Sequence, residues 1–77
     1  MHRGEGVHTV PDAERDGWWV NKYEGKVIGR CHRTKLVAVE AGKAMAKKLR
    51  VEHSIHRRDG VMTEKNSYGN DPRDIPG

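Results

Sequence analysis

Thr34-Lys35-Leu36-Val37-Ala38-Val39-Glu40-Ala41-Gly42-Lys43-Ala44-Met45-Ala46-Lys47-Lys48-Leu49-Arg50 is the stretch around which this 77-residue chain is organised. Small or apolar residues recur at Val37, Ala38, Ala41, Gly42, Met45 and Leu49, the spacing of one face of an α-helix. Thr34 supplies an N-cap, because its hydroxyl can accept from an N–H that the first turn leaves unpaired. Lys47, Lys48 and Arg50 fall in the last turn, where the helix dipole favours cations. Gly42 costs about 1 kcal/mol relative to alanine in mid-helix. Its place on the apolar face predicts a close approach to whatever lies beneath.

The segments on either side alternate as strands do. Toward the N-terminus, Val7-His8-Thr9-Val10 is a short strand closed by Pro11. Trp18 to Tyr23 is rich in aromatic and β-branched residues, Glu24-Gly25-Lys26 is a turn, and Val27 to His32 returns antiparallel. Gly29 weakens that third strand or marks a bulge. Beyond the helix, Val51 to Arg57 and Val61 to Lys65 flank Asp59-Gly60, a hairpin signal of type I′ in which both central residues take positive φ. A two-residue turn there sets Arg57 opposite Met62 and puts Ile55 on the same side as Met62.

The order is β-β-β-α-β-β. It predicts an α+β fold: a two-layer sandwich of one antiparallel sheet with a single helix covering one face. Residues 1–6 are expected to be a disordered leader, 7–66 the domain, and 67–77 an extended tail. A chain this short buries only about 60% of the surface its unfolded form exposes. With 34% hydrophobic residues and no Phe, the core is thin, and a homodimer formed through an apolar sheet face would add to it. Cys31 is the single cysteine, so no internal disulfide forms. No apolar run is long enough to span a membrane, and the first residues lack the apolar centre of a signal peptide. A cytoplasmic protein is the expectation.

Gly17-Trp18 with Val20, the Thr34-capped helix, and a final hairpin running into Glu64-Lys65-Asn66-Ser67-Tyr68-Gly69-Asn70-Asp71-Pro72 together resemble a small bacterial family, domain of unknown function 2188 (DUF2188). The likeness runs from about His8 to Pro72, and its specific part is Ser67 to Pro72. It implies an α+β domain and brings no activity, cofactor or catalytic residue. Trp19 and Cys31 stand where the family pattern fixes nothing.

The chemistry-bearing residues form no catalytic pattern. His53 and His56 are three apart and point to opposite faces of a strand, and so do the neighbours Cys31 and His32. No CxxC or HExxH spacing offers a closed metal site. A cysteine nucleophile needs a base within reach, and His32 is turned away from Cys31. Arg30 and Arg33 nearby would lower the thiol pKa, against the plainer reading of an inert, partly buried cysteine. The residues point to no enzyme, no cofactor, no metal and no small-molecule substrate.

Two surfaces remain as candidates for a partner. Adjacent strand residues face opposite ways, so Trp18 and Trp19 cannot share one core. Pairing Trp18 with Val20 beneath the helix leaves Trp19, Asn21 and Tyr23 on the open face. That face is then a site for another protein or a second copy, a platform for unpaired bases, or packing for the tail through Tyr68 or Ile75. Fifteen Lys and Arg against eleven Asp and Glu give a formal charge of +4. Arg30, Arg33 and Lys35 precede or open the helix, Lys43, Lys47 and Arg50 lie along it, and Arg57 and Arg58 crowd the last turn. These are candidate phosphate contacts for nucleic acid, weighed against an ordinary solvated helix face. A protein-binding accessory domain is the leading expectation and a nucleic-acid-binding module the alternative.

Overall fold

A computed structural model describes residues 6–68. The elements follow in the expected order: β1 (Val7–Pro11), β2 (Trp19–Tyr23), β3 (Lys26–His32), α1 (Lys35–Leu49), β4 (Glu52–His56) and β5 (Met62–Ser67). The helix begins where its cap directs, with the Thr34 hydroxyl accepting from the Val37 N–H at 3.2 Å. It ends with Arg50 in the left-handed region at φ 61°. The Arg50 N–H returns to the Lys47 carbonyl and the Val51 N–H to the Ala46 carbonyl, a Schellman closure with arginine where glycine is usual.

The five strands form one sheet in the order β3-β2-β1-β4-β5. The expected all-antiparallel sheet is corrected in one pairing: β1 and β4 run parallel, with Val7 beside His53 and Thr9 beside Ile55. The helix is the reason. It carries the chain from β3, at one edge, across β2 and β1 to β4, and a helical crossover joins strands that point the same way.

The two hairpins also differ from expectation. Glu24 and Gly25 both take positive φ, at 54° and 80°, so the type I′ geometry sits between β2 and β3. At the second hairpin only Gly60 does, at 94°. The Gly60 N–H donates to the Arg57 carbonyl and the Arg57 N–H to the Val61 carbonyl, and the Asp59 carboxylate accepts from the Val61 N–H. The extra residue moves the register. Met62 pairs with His56 rather than Arg57, and Ile55 pairs with Glu64 on the opposite face from Met62.

Alternation along β2 holds, with its phase inverted. Trp19 is 5% exposed and Asn21 fully buried, and the Asn21 amide donates to the Ala38 carbonyl of the helix at 3.0 Å. Trp19, Asn21 and Tyr23 therefore face α1. Val20 points the other way and is still buried, because residues 12–15 fold over it and line a hollow with Val20, Lys22, Val27 and Cys31. Hydropathy placed valine inward and asparagine outward. A loop covers the valine, and the asparagine finds a complete set of partners under the helix.

Candidate functional site

Thr9, Asn21 and His53 come from three adjacent strands and meet beneath Gly42. The Thr9 hydroxyl donates to Asn21 Oδ1 at 2.5 Å and lies 2.7 Å from His53 Nε2. A hydroxyl has one proton to give, so His53 Nε2 carries a hydrogen and donates to Thr9. All three side chains are buried. A methyl group on residue 42 would sit 2.7 Å from His53 Nε2, 2.8 Å from Thr9 Oγ1 and against Asn21 Oδ1. Glycine is thus what lets the helix settle on a polar layer, as its place on the apolar face predicted. Burial holds the His53 pKa below its ordinary value; His8 and Lys43 add to the depression and Glu64 opposes it. The cluster is closed to a substrate, and its role is to fix the helix on the sheet.

The sequence-predicted contact residues are divided by the fold. Trp19 and Asn21 are sealed under α1, and Tyr23 is half-buried on the same face, so the surface expected from these three on an open face is corrected. Trp18 lies just before β2, half-buried, with the guanidinium carbons of Arg15 and Arg33 at 5.3 and 5.5 Å from its ring centre. Lys35 places its ammonium 5.3 Å from the Trp19 ring.

The cations do not converge on one place. Arg30 and Arg33 are exposed at the end of β3 and beyond it. Lys43, Lys47 and Arg50 are exposed along and just past the helix, with Lys47 Nζ 5.7 Å from the Tyr68 ring centre. Arg57 is held by Asp59 at 2.9 Å. Arg58 lines a separate hollow with Trp18, Trp19, Asp12 and Asp16. His53 and His56 face opposite sides, as the strand period requires.

Sequence reasoning missed a third feature, at the β5 edge. β5 is the last strand of the sheet and all six of its residues are exposed. Between it and the helix runs a groove of about 340 Å³, lined by Lys35, Leu36, Val39, Ile55, Thr63 and Glu64. Leu36, 71% exposed, stands at this groove as the most exposed large apolar side chain among the described residues. Position 36 fell outside the stripe expected to point inward, and that exclusion was the one available signal; within the stripe Ala38 and Gly42 are buried, whereas Val37 and Leu49 are exposed, which corrects that expectation. The opposite edge is less open to pairing. Gly29, Arg30 and Cys31 all lie against Val20 alone, and Gly29 has φ 73°, a bulge of the kind that blunts an edge strand.

No helix among the described residues is long and apolar enough to cross a membrane. A family model described as an uncharacterised protein conserved in bacteria (DUF2188) matches residues 7–68. No curated protein and no solved structure matches the chain.

Proposed function

The chain belongs to the DUF2188 family, and from that premise we propose that it is a non-enzymatic interaction domain that receives an extended acidic segment of another protein along β5. The observation that carries this reading is the pairing of an exposed edge strand with an apolar groove at its side. An added strand gains main-chain hydrogen bonds from the edge and takes its specificity from pockets for alternate side chains. Leu36, Val39 and Ile55 suit one apolar anchor. The surplus of cations on the helix, where Lys35, Lys43, Lys47 and Lys48 meet only Glu40, suits acidic flanks.

A second copy of the chain is a poorer occupant. Antiparallel pairing of β5 with itself about a two-fold axis normal to the sheet sets either Glu64 against Glu64 or Lys65 against Lys65 at the strand centre. Like charges directly opposite are unfavourable.

Selection from a displayed library of random ten-residue peptides tests the reading. The expected winners are acidic with apolar residues at alternate positions, and Leu36→Glu weakens them at least tenfold while leaving the far-UV spectrum unchanged. Winners with no acidic bias, or indifferent to Leu36→Glu, would sink the idea. Nucleic acid is the second reading, favoured by the exposed Lys43, Lys47, Lys48 and Arg50. It expects retention of a duplex or single strand in a gel shift at low salt, with affinity falling steeply as salt rises.

A further inference from the structure

On the sheet face away from the helix, the parallel pairing of β1 with β4 brings two imidazoles together. His8 Nδ1 lies 3.1 Å from His56 Nε2, and the ring centres are 5.3 Å apart. His56 Nδ1 is also 3.0 Å from the Gly60 carbonyl oxygen. A carbonyl can only accept, so Nδ1 of His56 holds the hydrogen and its Nε2 presents a lone pair. His8 Nδ1 must then be the donor in the imidazole–imidazole bond. The result is a histidine whose outer nitrogen is pinned to the main chain and whose inner nitrogen is aimed at a second histidine.

That arrangement is characteristic of a metal-ligating histidine, in which the non-ligating ring N–H is held by a carbonyl or carboxylate that fixes tautomer and orientation. We infer that His8 Nδ1 and His56 Nε2 chelate a late first-row divalent cation of the class that imidazole selects, Zn²⁺ or Cu²⁺. Two nitrogens 3.1 Å apart, each about 2.0–2.1 Å from the ion, subtend about 95–100° at the metal, between square and tetrahedral angles. The ion displaces the hydrogen that links the two rings and lies to one side of the line between their nitrogens. For His8 Nδ1 to bind, its hydrogen leaves, either to Nε2 of the same ring or to solvent.

The surrounding face sets the strength of the site. Ser54 and Lys22 flank His8 in register, and Met62 lies opposite His56. The Lys22 ammonium opposes a cation and weakens the site. Among the described residues no group of three or more His, Cys, Asp and Glu is gathered to hold an ion, so the proposal rests on the two imidazoles alone.

Zinc and copper salts added to the 77-residue chain test the inference. In nitrogen-detected spectra of the imidazole rings, Zn²⁺ is expected to move the ring resonances of His8 and His56 and to leave those of His32 and His53 in place. Calorimetry is expected to show His8→Gln and His56→Gln each weakening Cu²⁺ binding at least tenfold, whereas His2→Gln keeps it. Rings of His8 and His56 that stay unmoved at millimolar Zn²⁺ overturn the proposal, and so does wild-type copper affinity in both glutamine variants. The ring spectra need no substitution, so a variant that misfolds leaves the question decidable.

Discussion

The two faces of this sheet use histidine in opposite ways. Under the helix, His53 is buried, donates to Thr9, and belongs to a layer whose hydrogen bonds are closed by Asn21 and the Ala38 carbonyl. On the other face, three residues along the same strand, His56 is half-buried and shares its inner nitrogen with His8 at the surface. One strand thus carries a histidine sealed into the structure and another available to chemistry. A polar side chain can be a core residue where a neighbouring glycine makes room and the partner set is complete. Without that cover, the same side chain remains a ligand in waiting.

The largest effect on this contrast is expected from Trp19→Ala. An indole sealed under the helix leaves a cavity costing about 3–5 kcal/mol, whereas an exposed one would cost no more than about 0.5 kcal/mol. Urea unfolding of the variant separates the two, and a change at the lower figure would return Trp19 to the outer face. Gly42→Ala comes next. Helix propensity alone favours alanine by about 1 kcal/mol, but the added methyl meets Thr9, Asn21 and His53. A net loss of about 2 kcal/mol is expected from overpacking, measured as a lower melting midpoint. A gain in stability would mean the helix rides higher than described.

The smallest effect is a pH dependence. The folded-state pKa of His53 lies below the unfolded value near 6.5. Its contribution is therefore fully present above pH about 6.5 and is lost as pH falls below that, until the folded state also takes up the proton. Unfolding midpoints compared between pH 7.5 and 5.5 are expected to drop more for wild type than for His53→Gln. Equal slopes would show that the ring is not desolvated.

Much of the helix was legible because its determinants are local. Thr34, the apolar period and the cations of the last turn act within a few residues of one another, and even the approach at Gly42 followed from its place on the stripe. The strands were legible as strands for the same reason. Their pairing was not: nothing near His8 reveals that His56 will lie beside it, since 48 positions separate them. The Asp59-Gly60 turn was found in place but with the wrong geometry. Asp59 keeps an ordinary φ and accepts from Val61 and Arg57 instead, which shifted the hairpin by one residue and moved Met62 across the sheet.

The phase of β2 shows the limit most directly. Period-two alternation predicted that Trp18 and Trp19 diverge, and it could not say which side the helix would take. Hydropathy favoured burying Val20 over Asn21. The fold buries both, one beneath the 12–15 loop and the other against the helix, and this takes Trp19 and Asn21 out of the expected contact surface.

The sequence by itself determined the order of elements, the helix and its ends, and the family, because short-range sterics, capping and periodicity are written in neighbouring residues. Only the tertiary structure decided which face is covered, which histidines meet and which edge stays open. Those depend on strand pairings between distant segments and on whether a buried polar atom finds its partner, a condition no stretch of local sequence contains.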